Sequence, residues 1–137
     1  MSEATFDVFL SHSNSNRSWS RLFASELRSR GCNVFFDEDS VDEGGSIEDQ
    51  IRGALRNSKA VVSVLDRSSA GSNWAAFEVG AAIAAGKPIL SVVSRDVPVE
   101  YLPGPVQALP QLEMATPGTT AREVMRILET DLEPFLI

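Results

Sequence analysis

Near the start of the chain, residues 6–13 have the sequence FDVFLSHS, in which an apolar run ends in three polar residues. The run from Phe6 to Leu10 is rich in aromatic and branched side chains and mostly apolar on successive positions, which predicts a β-strand buried on both faces of a sheet. The polar segment Ser11-His12-Ser13 follows directly. Parallel sheets bind ligands beyond the carboxyl ends of their strands, so this segment lies where a ligand site is expected.

Similar short runs recur along the chain and alternate with longer segments of helical period. Strands are predicted over residues 6–10, 33–36, 60–65, 89–94 and 112–115. Helices are predicted where apolar side chains share one face, namely Trp19, Leu22, Phe23 and Leu27, then Ile47, Ile51, Ala54 and Leu55, then residues 73–85, and last Val124, Ile127, Leu128 and Phe135. The expected fold is α/β, because strand and helix alternate about five times, which gives a parallel sheet with helices on both faces. Right-handed crossovers and short links favour a flavodoxin-like strand order. The chain is predicted to form a single flavodoxin-like domain over residues 1–137, with a five-stranded parallel sheet in the order 2-1-3-4-5 and helices on both faces.

Three local patterns predict where helices begin or end. Gly31 and Gly86 follow the first and third predicted helices, and a left-handed glycine commonly ends a helix. Thr120 and Glu123 have the spacing of a capping box, which predicts the start of the last helix.

The balance of charge argues against two classes of partner. The chain has 12 Lys and Arg against 19 Asp and Glu, a net charge of −7. Nucleic acids and membrane surfaces are anionic, so we expect neither as a partner. The longest apolar stretches, such as Ala60 to Leu65, are far shorter than a membrane span, and residues 1–4 do not resemble the start of a signal peptide.

Cysteine and histidine usage indicates a compartment and argues against a metal site. Cys32 is the single cysteine, so no internal disulfide can form, which fits the reducing cytosol and predicts a cytoplasmic protein. Cys32 precedes an apolar run and is expected to be a buried small residue. Because His12 is the single histidine, the several Cys and His ligands of a zinc site are not available.

Glu78 stands out because it is the one charged residue in a segment of small and apolar residues from Ser72 to Ala85. Trp74 and Glu78 are four residues apart and therefore share a face near the start of a predicted helix. A carboxylate in apolar surroundings beside an indole is a recurring arrangement for tuning a catalytic acid. From spacing alone, the alternative is a carboxylate exposed to water on the outer face of the helix.

An acidic segment, residues 37–43, follows the second predicted strand. Three carboxylates, Asp37, Asp39 and Glu48, have the spacing of the first, third and twelfth ligands of a calcium loop. The sixth position, however, holds Asp42 where the tight turn needs glycine, and a strand precedes the segment instead of a helix. The segment is therefore interpreted as a solvated connection, or as a lid or docking surface beside a ligand cleft.

Asp66 follows the third predicted strand, where a response-regulator receiver carries its phospho-accepting aspartate. The other groups of such a site are missing, because no acidic pair follows Leu10 and no lysine ends the fifth strand. The chain also has no G-x-S-x-G, G-x-x-x-x-G-K or G-x-G-x-x-G motif. Phosphotransfer, serine hydrolysis and the common nucleotide-binding loops are therefore disfavoured.

Several segments, in order, resemble the Toll/interleukin-1 receptor (TIR) domain family. Residues 6–13 resemble its opening box, and residues 34–37 with 44–47 resemble its second strand and the following BB loop. Ser72-Asn73-Trp74 with Glu78 is similar to its S-x-W-C-x-x-E segment, although Ala75 replaces the usual cysteine. Each box is short, but their order and spacing over nearly the whole chain are specific.

The resemblance implies an activity and a set of site residues. Some TIR domains cleave NAD⁺ at the nicotinamide–ribose bond and form ADP-ribose by attack of water, or a cyclic product by attack of an adenine nitrogen. The catalytic glutamate of that class corresponds to Glu78, and the residues expected to contact substrate are Trp74, Ser11, His12, Asp37 and Ser72. NAD⁺ would be the substrate, with no cofactor and no metal. The family's cysteine is not its catalytic group, so Ala75 leaves this chemistry open.

The resemblance also implies association with other TIR domains. Isolated TIR domains are often weak enzymes until they cluster, and others are scaffolds without enzymatic activity. Glu78 favours the enzymatic class, because scaffold members commonly lack an acid at that position. No death domain or leucine-rich repeat is visible in the sequence, which resembles prokaryotic TIR proteins, many of them in anti-phage defence. A domain cut from a longer chain would have the same appearance.

Overall fold

A five-stranded parallel sheet forms the centre of the computed structural model, which describes residues 5–36 and 47–137, with residues 47, 48 and 74 described by their backbone alone. The strands are β1 (Phe6–Ser11), β2 (Val34–Phe36), β3 (Ser58–Leu65), β4 (Ile89–Val93) and β5 (Gln111–Glu113). Their order is β2-β1-β3-β4-β5, and every neighbouring pair is parallel. The strand order predicted from the sequence is confirmed.

Four α-helices lie in the described residues: α1 (Arg17–Ser29), α2 (Ile47–Arg56), α3 (Asn73–Ala84) and α4 (Pro117–Glu129). Helices α1 and α4 cover one face of the sheet, and α2 and α3 cover the other. The link from β4 to β5 contains two 3₁₀ turns, Val99–Tyr101 and Gly104–Ala108. Prolines at positions 98, 103, 105 and 110 disfavour an α-helix in this link, because proline lacks an amide hydrogen and clashes with the preceding turn.

Side chains of β1 alternate between the two apolar layers of the domain. Val8 and Leu10 pack with residues of α1 and α4, whereas Phe9 packs with residues of α2 and α3. Ser11 is two positions beyond Phe9, so its side chain is on the side of α2 and α3. The alternation therefore brings the last residue of β1 against the helix that carries Glu78.

The buried face of α1 is narrower than the sequence predicted. Phe23 and Leu27 are fully buried, but Leu22 is 61% exposed. The buried side of α1 runs through Ser20, Phe23, Ala24 and Leu27, and at about 100° per residue Leu22 lies on the opposite side of the helix. The prediction for Leu22 is therefore wrong.

The ends of α4 also differ from the prediction. The helix begins at Pro117, after the cap residue Thr116, so Thr120 is inside the helix and not at its start. It ends at Glu129, and Phe135 is buried from a separate 3₁₀ turn, Glu133–Phe135. Pro134, at the start of that turn, disfavours a continued α-helix because proline has no amide hydrogen to donate. The apolar periodicity therefore extends to Phe135, whereas the α-helix does not.

The predictions for Gly31, Gly86 and Cys32 are confirmed. Gly31 and Gly86 have φ angles of +84° and +69°, and they follow α1 and α3 as left-handed residues that end a helix. Cys32 is 4% exposed. Within the described part of the chain, no helix combines the length and apolarity needed to cross a bilayer.

Candidate functional site

The carboxylate of Glu78 is buried, with 3% of the residue exposed. It lies on α3, and the hydroxyl of Ser11 at the end of β1 donates a hydrogen bond to its Oε1 atom. The sequence-based alternative of a water-exposed glutamate is therefore wrong. A carboxylate shielded from water interacts more strongly with a nearby positive charge than one in solvent does, which is a requirement for electrostatic catalysis.

The start of α3 determines where Glu78 points. Ser72 caps the helix, and its hydroxyl accepts a hydrogen bond from the backbone N–H of Ala75 at 3.1 Å. Ala75, Val79 and Ala82 face the sheet and are buried. Glu78 is on the same side of the helix as these three residues, because positions three and four apart share a helix face. The hydroxyl of Ser72, which the sequence suggested as a substrate contact, is engaged in the cap.

Ser11 belongs to a row of serines that crosses the middle of the sheet. Ser11 pairs with Ser63 of β3, and Ser63 pairs with Ser91 of β4. All three residues are less than 7% exposed, and their side chains share the face that α2 and α3 cover. Buried hydroxyls are costly in an apolar layer unless they are hydrogen-bonded. Ser11 has its partner in Glu78, whereas the buried Oγ atom of Ser91 has none among the described residues.

The loop after β1 is held in place by a buried asparagine. Asn16 is 4% exposed, and its Nδ2 atom donates to the carbonyl oxygen of Val64 at 3.1 Å. Its Oδ1 atom accepts from the backbone N–H of Ser13 at 3.1 Å and from the hydroxyl of Ser20 at 3.0 Å. Sequence reasoning missed Asn16, because its partners are a loop, a helix and a strand 48 residues away.

His12 lies in this loop, at the ends of β1 and β2. Its ring is 4.5 Å from the ring of Phe36, measured between centroids, with an interplanar angle of 33°. Phe36 is the last residue of β2 and packs in the core, so it fixes the position of the imidazole. The imidazole is thus placed at the carboxyl edge of the sheet, as the sequence predicted.

Two further predicted residues are described less fully. Asp37 lies outside the described residues. Trp74 is in the first turn of α3, one helical turn before Glu78, and its backbone alone is described. The proposed contacts of both side chains with substrate stay predictions.

Asp66 follows β3 directly and is part of a tight turn. Burial raises its pKa, but hydrogen bonds from the side chains of Ser15 and Ser69 and from the backbone N–H groups of Ser69 and Ser68 outweigh burial and hold the pKa below its ordinary value. The N–H of Ser69 is 2.9 Å from Asp66 Oδ1. The carboxylate is thus ionised and engaged by the turn.

Arg67 follows Asp66 and is a cation that sequence reasoning overlooked. Its guanidinium lies 5.5 Å from the centroid of the Tyr101 ring, and Nη1 donates to the carbonyl oxygen of Asp96 at 3.3 Å. Both partners are in the link after β4, so only the folded chain brings them together. Among the described residues, no group of three or more His, Cys, Asp and Glu side chains could hold a metal ion.

Comparison with curated proteins gives one informative relative. The chain is 31% identical over 83 residues to the 2' cyclic ADP-D-ribose synthase AbTIR of Acinetobacter baumannii (strain 1295743). The aligned part is 60% of this chain but 31% of the relative, so the chain spans about a third of the length of the curated relative that it matches.

Two solved structures show how widely the fold is shared. A metazoan TIR-STING receptor from C. gigas in complex with 2',3'-cGAMP has a TM-score of 0.80 at 22% identity, over 93% of this chain and 40% of that chain. The TIR domain of the Toll-related Receptor TRR-2 from Hydra magnipapillata has a TM-score of 0.77 at 16% identity, over 92% and 100% of the two chains. At such identities the likeness concerns the fold alone.

The family itself follows from the match along the sequence. A family model described as the TIR domain matches residues 8–127, which include β1 with Ser11, α3 with Glu78 and all five strands' core positions. With the strand order and the two structural neighbours in agreement, the chain belongs to the TIR domain family.

Proposed function

We propose that this TIR domain cleaves NAD⁺ at the bond between nicotinamide and ribose, with Glu78 as the catalytic carboxylate. The observation that carries the proposal is the burial of Glu78 on α3, where Ser11 at the carboxyl end of β1 binds it. The similarity to a 2' cyclic ADP-D-ribose synthase supports the same reaction class. NAD⁺ is then a substrate, and the proposal includes no cofactor or metal.

The reaction suits a single carboxylate. When the C1′–N bond of NAD⁺ breaks, both bonding electrons go to the pyridinium nitrogen, and nicotinamide leaves as a neutral molecule. No general acid is needed, in contrast to ordinary glycosidases, which protonate a leaving oxygen with a second carboxyl group. The ribosyl centre becomes positively charged, and the negative charge of Glu78 stabilises that transition state.

A nucleophile completes the reaction at the ribosyl carbon. Attack by water gives ADP-ribose and releases one proton. Attack by an adenine nitrogen or a hydroxyl of the same molecule closes a ring, again with loss of any proton on the attacking atom. The shape of the pocket decides between them, and we propose that His12, Trp74 and Asp37 contribute to its walls.

The test is an incubation of concentrated protein with NAD⁺, with the products separated by chromatography and identified by mass. We expect nicotinamide release by the wild type and none by Glu78→Gln. The melting temperature of this variant should be nearly unchanged, because the amide has the size of the carboxylate and can still accept from Ser11. Glu129→Gln, at an exposed position on α4, is the matched control and should keep full activity.

The second product identifies the reaction. A cyclic product is lighter than ADP-ribose by one water molecule, so its mass separates a cyclase from a hydrolase. Equal nicotinamide release by wild type and Glu78→Gln would refute the role of Glu78. The absence of turnover by the wild type, even when molecules are forced to cluster, would favour an interaction scaffold and refute the enzymatic proposal.

We further propose that turnover depends on association between copies of the domain in the cytoplasm, as part of immune or anti-phage signalling. The TIR family membership supports this proposal. Nicotinamide release per molecule should rise as the protein is concentrated from the nanomolar to the high micromolar range. Constant specific activity over that range would contradict a requirement for association.

A further inference from the structure

The hydrogen bond between Ser11 and Glu78 assigns a role to Ser11 that differs from the sequence-based expectation. The sequence suggested that Ser11 contacts the substrate. In the structure its hydroxyl donates to Glu78 Oε1, and both residues are buried, with 6% and 3% exposed. A serine hydroxyl has one proton to donate, so this donor is not available for a ribose or phosphate oxygen at the same time.

We propose that Ser11 is the positioning residue for Glu78: its hydroxyl fixes the plane of the carboxylate toward the ribosyl carbon. The proposal rests on the proposed NAD⁺ cleavage. The last torsion of a glutamate side chain has a broad, roughly two-fold preference, so packing of the methylene groups does not fix the carboxylate plane by itself. A hydrogen-bond donor on one carboxylate oxygen does fix this plane, because a hydrogen bond to a charged group is strong and directional.

Ser11 and Glu78 both lie on regular secondary structure, so their hydrogen bond joins two groups whose backbones are held in place. β1 has a strand on each side, and Leu10, the residue before Ser11, pairs with Phe36 of β2 and Val62 of β3. α3 packs on the sheet through the buried residues Ala75, Val79 and Ala82, and the cap at Ser72 orders its first turn. A donor carried on a central strand holds its partner more tightly than a donor on a loop could.

The position of Ser11 predicts which kinetic constant it affects. The hydroxyl is bound to Glu78 and contributes little to binding of ground-state NAD⁺, so its removal should leave KM nearly unchanged. The charge of Glu78 acts on the transition state, where a small misplacement of a catalytic group costs up to about 100-fold in rate. The expected signature is thus a fall in kcat without a matching rise in KM.

The experiment compares Ser11→Ala, Ser11→Thr and Ser58→Ala with the wild type in NAD⁺ cleavage, with a thermal melt for each protein. Ser58 is a matched control, because it is a fully buried serine on β3 whose hydroxyl donates to the carbonyl oxygen of Ala54 at 2.6 Å, at the opposite end of the sheet. We expect Ser11→Ala to lose about 10- to 100-fold in kcat with KM within about threefold of the wild type. Ser11→Thr keeps the hydroxyl and should recover most of kcat, and Ser58→Ala should keep wild-type kinetics.

Three outcomes would overturn the proposal. Wild-type kcat in Ser11→Ala would show that the hydroxyl does not position Glu78. A rise in KM with unchanged kcat would show that Ser11 binds substrate. An equal loss of kcat in Ser58→Ala would show a general effect of losing a buried hydrogen bond.

Two further results have a defined meaning: a Ser11→Ala protein that does not fold, and a wild type that does not cleave NAD⁺. If Ser11→Ala does not fold, Ser11→Cys, which has a similar volume and only a weak donor, is measured in its place against Ser11→Thr. Inactive wild-type protein refutes the proposed function itself, whereas active wild type with unaltered Ser11 variants refutes only the role of Ser11.

Discussion

Asn16 donates through Nδ2 to the carbonyl oxygen of Val64, 3.1 Å away, and so joins the loop after β1 to the adjoining strand. The same side chain accepts from the N–H of Ser13 and from the hydroxyl of Ser20, which adds α1 to the connection. One buried amide thus holds together a loop, a strand and a helix at the edge where His12 lies. Two of its three hydrogen bonds are buried, so their loss leaves polar groups without partners.

Asn16→Ala should lower the free energy of unfolding by about 1–3 kcal/mol, because it removes the side-chain partner of three polar groups. Urea denaturation followed by circular dichroism measures the change. Asn14→Ala, at an exposed position of the same loop, is the control and should change stability by less than about 0.5 kcal/mol. Equal effects of the two substitutions would show that the buried network does not stabilise the fold.

Ser72→Ala should lower the free energy of unfolding by about 1 kcal/mol, because the N–H of Ala75 loses its capping partner. Ser72→Asp restores an acceptor at the cap and should recover stability, and Ser68→Ala in the exposed part of the preceding turn should have little effect. Enzyme kinetics distinguish the capping role of Ser72 from the contact with substrate that the sequence suggested. A raised KM for NAD⁺ in a fully stable Ser72→Asn protein, which keeps a cap acceptor without adding charge, would show that Ser72 also contacts substrate, as the sequence suggested.

Asp66 should contribute stability at neutral pH that disappears in acid. Its pKa is lowered in the folded protein, so the folded state favours the ionised form and binds fewer protons than the unfolded state. The contribution is present above the unfolded-state pKa and is lost as the pH falls through the folded-state value. The difference in unfolding free energy between wild type and Asp66→Asn should therefore hold from pH 7 down to the unfolded-state pKa and shrink as the pH falls further, through the folded-state value. A difference that does not shrink in this acid range would contradict this role.

Cys32 should be inert in the folded protein. Burial, the largest cause, and the charge of Asp7 raise the pKa of the thiol to about 12, against smaller opposing effects of Lys59 and Arg28. The thiolate is the reactive species, and the side chain is 4% exposed. A thiol reagent at pH 8 should thus label the protein only after denaturant is added. Rapid labelling of the native protein would show that the strand and helix around Cys32 open readily.

The fold could be predicted from the sequence because each element has a local signal. The apolar runs of β1, β3 and β4 are continuous, as expected for strands with helices on both sides, and Gly31 and Gly86 end their helices as predicted. The predictions were wrong where a local apolar pattern fits two orientations of a helix on the sheet. The pair Leu22 and Phe23 is such a case, because periodicity alone does not decide which of two adjacent apolar residues faces the sheet.

The site could be predicted only in part. The small, apolar neighbours of Glu78 are visible in the sequence and suggest a buried carboxylate, but spacing alone left an exposed glutamate as the alternative. The hydrogen bond of Glu78 to Ser11 could not be predicted, because the two residues are 67 positions apart and meet only through the pairing of strands and the docking of α3. The bonds of Asn16 and the placement of Arg67 over Tyr101 depend on tertiary contacts in the same way. The predicted contribution of Asp37 lies outside the described residues.

The central position of β1 in the sheet ties the lifetime of the site to that of the whole fold. β2 and β5 are the edge strands, and local fraying of an edge leaves the Ser11–Glu78 pair in place. The backbones of the two residues move apart only when α3 leaves the sheet or when β1 and β3 separate, and these events disrupt the core on the α2–α3 face. A carboxylate held between interior elements of the fold gains geometric precision, because fraying of an edge strand does not move it.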